Sequence, residues 1–250
     1  MIEIRALVDY CDRLLDVPRF TDHAPNGLQL EGERPIERLV SGVTASAALI
    51  EAAIAADADA ILVHHGWFWR SENPCLTGIK ARRARLLFKA GVSLIAYHLP
   101  LDAHPELGNN VTLGRRLGFE SITQTEAAKG LLWTGRLAQP MTPARLAGQV
   151  GQRLGRTVTL VGPDQATIEH IAWCTGGGQG YLEQAVELGV DAFLSGELSE
   201  QTTHLAREYG ICYLAAGHHA TERYGVQALG AHLASCLGLQ HSFIDIDNPA

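Results

Sequence analysis

The sequence predicts an α/β protein built as two structurally similar lobes, each a mostly parallel sheet covered by helices. Three observations carry this. Short aliphatic or β-branched runs alternate with amphipathic helical patterns along all 250 residues. Several of those runs are apolar throughout, as strands covered on both faces are. The chain also repeats itself. Hydrophobic residues make up 46% of it, enough for a sizeable core.

Taken in order, "MIEIRALVDYCDRLL" spaces acids and apolar residues as a helix does, without the basic start and continuous apolar core of a secretion signal. Residues 1–35 therefore read as an N-terminal helix and lead-in. A first lobe, 36–123, holds the strand candidates RLVSGV (38–43), DAILV (59–63) and VSLIAY (92–97). A second lobe, 124–250, holds LLWTGRL (131–137), TVTLV (157–161), IEHIAW (168–173), DAFLS (191–195), ICYLAA (211–216) and SFIDI (242–246). Helical patterns fill most of the intervals. The best-marked start is QPMTPARLAGQVGQRLG, where Thr142 can cap the helix and Pro143 sits in its first turn.

The repeat appears without gaps at a spacing of 132 residues. Ile36, Glu37, Glu51, Ala53, Asp59, Ala60 and Leu62 recur as Ile168, Glu169, Glu183, Ala185, Asp191, Ala192 and Leu194. A later segment, AGVSLIAYHLP, matches YGICYLAAGHH at a shorter spacing. Each lobe thus reads as strand, helix, strand, helix, strand.

Composition excludes several functions. A formal net charge of -7 leaves no basic face for phosphate backbones, which argues against charge-driven nucleic-acid binding; the basic run Lys80 to Arg85 reads as a solvated helix face. Five cysteines without CxxC spacing read as reduced thiols in a cytosolic protein. The longest apolar stretches are interrupted by Glu51, Asp57 and Asp59, so no membrane span is expected.

In open α/β sheets ligands bind beyond the carboxyl ends of the strands. His64 and His65 follow Val63; His98 and then Asp102 follow Tyr97; Glu197 follows Ser195; His218, His219 and Glu222 follow Ala216. Imidazole nitrogen with carboxylate oxygen suits zinc, iron(II), manganese or cobalt. His218 and Glu222, four residues apart, share one helix face. Burying so many polar groups without partners would cost several kcal/mol each, and bound cations would offset that. The set oversupplies one ion and suits two, roughly 3.5 to 4 Å apart, bridged by a carboxylate and a water or hydroxide. Zinc lowers the pKa of its water from 15.7 to about 7, which makes a hydrolytic nucleophile at neutral pH.

The motifs VHHGWFW, YHLPLDAHPELGNN, WCTGGGQG, SGELSEQTTHLARE and AAGHHATERYGVQALG resemble those of the NIF-three-like family, in its short YbgI-type form. These are dinuclear-metal proteins that carry the description GTP cyclohydrolase I type 2. The resemblance runs from DHAPNGLQLEG to FIDIDNPA. It implies metal ligands at His64, His65, Asp102, His218 and Glu222, with one ion on His65 and Asp102, the other on His64 and His218, and Glu222 bridging. It also implies two intertwined lobes, a homohexamer arranged as a trimer of dimers, and a nucleotide substrate attacked at C8 of guanine.

Two function classes follow: a metal-dependent hydrolase using a metal-bridging hydroxide, with Glu222, Asp102 and His98 as catalytic residues, or a non-catalytic metal-binding hexameric scaffold or metal-handling protein. His98 stands as a partner behind the ligands or as a proton shuttle. Glu197 either faces the cavity or caps a helix. His219, directly after a ligand, is expected to point elsewhere. The TGGGQG loop lacks the P-loop GK[ST]; its glycines serve a tight turn or cradle an anion. Trp67 and Trp69 are expected as walls of the site, and Trp133 and Trp173 as core. No GxSxG elbow is present, and Cys174 reads as a small buried residue.

Overall fold

The apolar runs become the central strands of two sheets in the computed structural model, which describes residues 1–250. The chain divides into two units. The first contains Met1–His104 and Gly225–Asp247, the second Pro105–Tyr224 and Asn248–Ala250. This differs from the expected boundary after residue 123 and from a second lobe running unbroken to 250. Strand pairing explains the difference, because the last strand of the chain adds to the first sheet.

In the first unit, helix α1 (Ile4–Leu14) buries Ile4, Leu7, Val8 and Cys11. Strand β1 (Gly27–Leu30) is followed by β2 (Arg38–Thr44), α2 (Ala47–Ala55), β3 (Ala60–His65), α3 (Gly78–Ala90), β4 (Ser93–Ala96) and the short α4 (Leu99–Ala103). Ser46 caps α2 by accepting the Leu49 N–H at 3.2 Å. Strands β2, β3 and β4 pair in parallel, and β1 joins β4 antiparallel. Ile61, Val63, Leu94, Leu49 and Leu87 pack one core on this sheet.

The second unit begins with α5 (Asn109–Leu117), β5 (Phe119–Gln124), β6 (Trp133–Met141) and α6 (Pro143–Leu154). The Thr142 hydroxyl accepts the Arg145 N–H and Pro143 opens α6, as the sequence predicts. Then come β7 (Thr159–Val161), β8 (Ile168–Cys174), α7 (Leu182–Glu187), β9 (Ala192–Ser195), α8 (Glu200–Tyr209), β10 (Cys212–Ala215) and α9 (His218–Thr221). The sheet order is β5-β6-β8-β9-β10-β7. Its centre, β8-β9-β10, is parallel as expected, while β5, β6 and β7 add antiparallel pairs. Trp173, Ile171, Leu194 and Leu214 lie in its core. Helix α10 (Arg223–Leu237) leads back to the first unit, where β11 (Gln240–Phe243) pairs in parallel with β2. No helix is long and apolar enough to cross a membrane.

The internal repeat is also a repeat of geometry. Leu39 pairs with Ala60 between β2 and β3, and Ile171 pairs with Ala192 between β8 and β9, each residue 132 positions after its counterpart. Asp59 Oδ2 accepts the backbone N–H groups of Glu37 at 3.0 Å and Arg38 at 2.8 Å. Asp191 Oδ2 accepts those of Glu169 at 2.9 Å and His170 at 2.8 Å. Each carboxylate ties the start of its strand to the neighbouring strand through charge-assisted hydrogen bonds, which is why an aspartate recurs ahead of both.

Candidate metal centre

In the first unit the carboxyl ends of β3 and β4 bring four predicted residues together. His64 is fully buried, and its Nδ1 donates to the Tyr97 carbonyl at 2.9 Å. That bond selects the tautomer with its lone pair on Nε2, which lies 3.4 Å from Asp102 Oδ1. His65 Nδ1 is hydrogen-bonded to Thr44 Oγ1 at 3.2 Å. His98 donates from Nδ1 to Asp22 Oδ1 at 2.7 Å. One ligand atom each from His64, His65 and His98 lies within 4.8 Å of the others. Asp102 is buried in α4, where its N–H donates to the His98 carbonyl.

Asp22 organises the loop before β1. Its Oδ1 also accepts the His23 N–H, and its Oδ2 accepts the Asn26 amide and the Leu99 N–H, both at 2.9 Å. Asn26 Oδ1 in turn accepts the His98 N–H at 2.7 Å. Burial works against the charged form of Asp22. The hydrogen bond and charge of His98, with the Asn26 and Leu99 donors, outweigh it and hold the carboxyl well below the usual carboxylate range. Trp69 stands edge-on to His98 with ring centroids 4.9 Å apart and is 5.9 Å from His65. Trp67 is not a wall of the site: it is buried in the first core with its indole N–H donated to the Ala45 carbonyl. Its large apolar ring is better accommodated there.

In the second unit the turn after β10 carries the remaining predicted residues. His218 opens α9, with Nδ1 2.7 Å from Glu197 Oε1 and Nε2 3.1 Å from Glu222 Oε2. Glu222 is buried. Burial disfavours the charged imidazole, but Glu222 and then Glu197 outweigh it and push His218 up to about 9. Of the two readings of Glu197, the structure supports one that turns it toward the site, as the carboxylate behind His218; Gln179 donates to its other oxygen at 2.9 Å. Ser199, two residues on, is the residue that caps α8.

The TGGGQG loop is a close-approach turn. Gly176 has φ +61°, and a Cβ there would overlap Glu222 Oε1. Its N–H donates to Thr221 Oγ1, and its carbonyl accepts from Ser195 Oγ and the Gly196 N–H. Arg156 braces the turn from another side: its guanidinium occupies the space that a Cβ on Gly217 would need, and it donates to the Pro249 and Ala250 carbonyls, both at 3.0 Å. Cys174 is buried beneath the loop.

The sequence reading did not find Asp22, Asn26, Thr44 or Arg156. Asp22 and Asn26 do lie in the DHAPNGLQLEG motif, and that much polarity in a segment leading into a strand was the available signal.

Residues 2–249 match the model of the family described as Duf34/NIF3 (NGG1p interacting factor 3). A protein of Allochromatium vinosum named "GTP cyclohydrolase 1 type 2 homolog" is 72% identical over 250 residues, covering 100% of this chain and 98% of that protein. A Pseudomonas aeruginosa protein of the same name is 56% identical over 251 residues, covering 100% of this chain and 99% of its own. A solved structure described as "Structural genomics, protein ybgI, unknown function" superposes with a TM-score of 0.93 at 44% identity, covering 100% of both chains.

Proposed function

Because the chain belongs to the Duf34/NIF3 family, we propose that it binds two divalent metal ions and hydrolyses a small-molecule substrate at them. The ligands proposed are His64, His65 and Asp102 of the first unit with His218 and Glu222 of the second. One observation carries the reading. Each of the four imidazoles His64, His65, His98 and His218 has its Nδ1 engaged by an oxygen, from Tyr97, Thr44, Asp22 and Glu197 respectively. Metal-binding histidines are held in this way, because the bond behind the ring orients Nε2 and raises its basicity. The donor set fits zinc, iron(II) or manganese.

When bound, a pair of such ions supplies Lewis acidity that activates water toward an electrophilic carbon or phosphorus at neutral pH. The chain's own contribution is orientation and charge. Asp102 and Glu222 bring buried negative charge against the cations, and Glu222 is held against the glycine turn. Asp22 holds His98 through Nδ1, and one ring nitrogen of His98 lies within 4.8 Å of one each from His64 and His65, which makes it a sixth candidate donor beside the five.

The name of the relatives makes GTP the first substrate to test. By family likeness, a homohexamer is proposed, to be checked by light scattering. The deciding experiment is turnover by metal-loaded protein on nucleotides and phosphodiesters, beside Glu222→Ala. Hydrolysis by the wild type that disappears in the variant supports the reading. Equal inertness of both, with metal still bound by the wild type, would instead leave a metal-handling scaffold.

A further inference from the structure

The internal repeat supplies a comparison within one molecule. In the first unit, the turn between α2 and β3 carries Asp57 at φ +55°, and its N–H donates to the Ile54 carbonyl at 3.0 Å. The Asp57 carboxylate sits between two cations: Oδ2 is 2.6 Å from Arg38 Nη2 and Oδ1 is 3.2 Å from Arg34 Nη1. The corner is neutralised from within.

The same turn in the second unit has lost that carboxylate. The residue 132 positions after Asp57 is Gly189, at φ +69°, with its N–H donated to the Val186 carbonyl at 2.9 Å. The counterpart of Arg38 is His170 on β8. Directly opposite His170 in the antiparallel β6–β8 ladder stands Arg136, so the two side chains share one face of the sheet. At the second unit's corner lies a cavity of about 390 Å³. Its wall includes Arg136, His170, Gly189, Ser121, Thr125 and Thr134; Thr125 Oγ1 donates to the Leu132 carbonyl, and Glu120, outside this lining, stands opposite Arg136 in the β5–β6 ladder. Ser121 lies where the β5–β6 register shifts and has φ +51°, a conformation that non-glycine residues adopt at a cost and that concentrates at functional sites. The Arg136 guanidinium, the His170 imidazole and the Ser121 and Thr134 hydroxyls, on residues that line one concave surface, are donors of the kind that recognise an oxyanion.

We propose that this cavity binds the phosphate or carboxylate group of a small ligand, which takes the place of the Asp57 carboxylate in the repeated corner. The site is distinct from the His218–Glu222 cluster. Leu188 to Val190 lead into the amino end of β9, whereas Glu197 follows its carboxyl end, on the order of 13 Å along the strand.

Calorimetric titration of the full-length, metal-loaded protein with inorganic phosphate, and separately with malonate, tests this against Arg136→Ala and Gly189→Asp. The second variant restores the missing carboxylate in a turn where aspartate is already accommodated, and a Cβ on Gly189 meets nothing within 4 Å. Both variants should weaken binding at least about tenfold, or ~1.4 kcal/mol. Loss of phosphate binding identifies a phosphorylated ligand, and loss of malonate binding a carboxylate one. The proposal is overturned if neither anion binds the wild type, or if both variants bind as it does, since that would place any binding elsewhere, including at the metals. Should Gly189→Asp fail to fold by circular dichroism, His170→Ala takes its place with the same expectations.

Discussion

Replacing Gly176 with alanine tests how the His218–Glu222 cluster is built. The added Cβ would overlap Glu222 Oε1 and lie 2.8 Å from Glu222 Cδ and 3.0 Å from His218 Nε2. Carbon atoms in contact prefer roughly 3.5 to 4 Å, so something must retreat by about 0.7 Å or more. The backbone of residue 176 is poorly placed to do so, since Thr221, Ser195 and Gly196 hold its N–H and carbonyl. The Glu222 carboxylate must therefore move. Metal coordination tolerates errors of about 0.2 Å, so a displacement of this size should cost a hundredfold or more in affinity, about 3 kcal/mol. The left-handed backbone adds about 1–2 kcal/mol of destabilisation, a few degrees in Tm. Gly180→Ala is the control from the same loop, because a Cβ there meets nothing within 4 Å. Chelator competition gives the affinity and calorimetry the stability. If Gly176→Ala binds metal as tightly as Gly180→Ala, the assignment of Glu222 as a ligand fails.

Asp22→Ala and Glu197→Ala remove the carboxylates behind His98 and His218, and each should weaken metal binding by about ten- to a hundredfold, measured by the same competition; unchanged affinity would make these contacts merely structural. In metal-free protein His218 is raised from 6.5 to about 9, so its charged contacts stabilise the fold fully below pH 6.5 and are lost as the pH rises through about 9. Thermal melts of chelator-treated protein should fall across that window, and less steeply in Glu197→Gln. Metal binding at pH 7 should release the His218 proton, seen as a dependence of binding heat on buffer ionisation enthalpy; heats independent of buffer would contradict it. Asp59→Ala and Asp191→Ala each leave two strand-start N–H groups without their carboxylate, and similar losses of about 1–3 kcal/mol are expected in denaturant melts. A marked inequality would mean that the two copies no longer use the tie alike.

Much of this site was legible because strand ends announce themselves. An apolar run that stops at His64, or at a glycine turn before His218, tells where the chain leaves the sheet. Strands β1 and β5 were not legible. Both are edge strands, and β5, reading FESITQ, carries polar side chains toward solvent and so lacks an apolar run. Trp67 shows the opposite failure: its position beside the histidines suggested a site wall, but the core took it.

The order of residues by itself determined the alternation of strands and helices, the cap at Thr142, the doubled unit with its paired aspartates, and the donor chemistry gathered at the strand ends. These depend on neighbours in the chain or on residue type. Tertiary structure decided which nitrogen of each histidine faces the site, that Asp22 stands behind His98 across 76 positions of chain, that Arg136 looks across at His170, and that β11 completes the first sheet. Those outcomes depend on the direction of hydrogen bonds between distant segments, and direction arises once the sheets have formed.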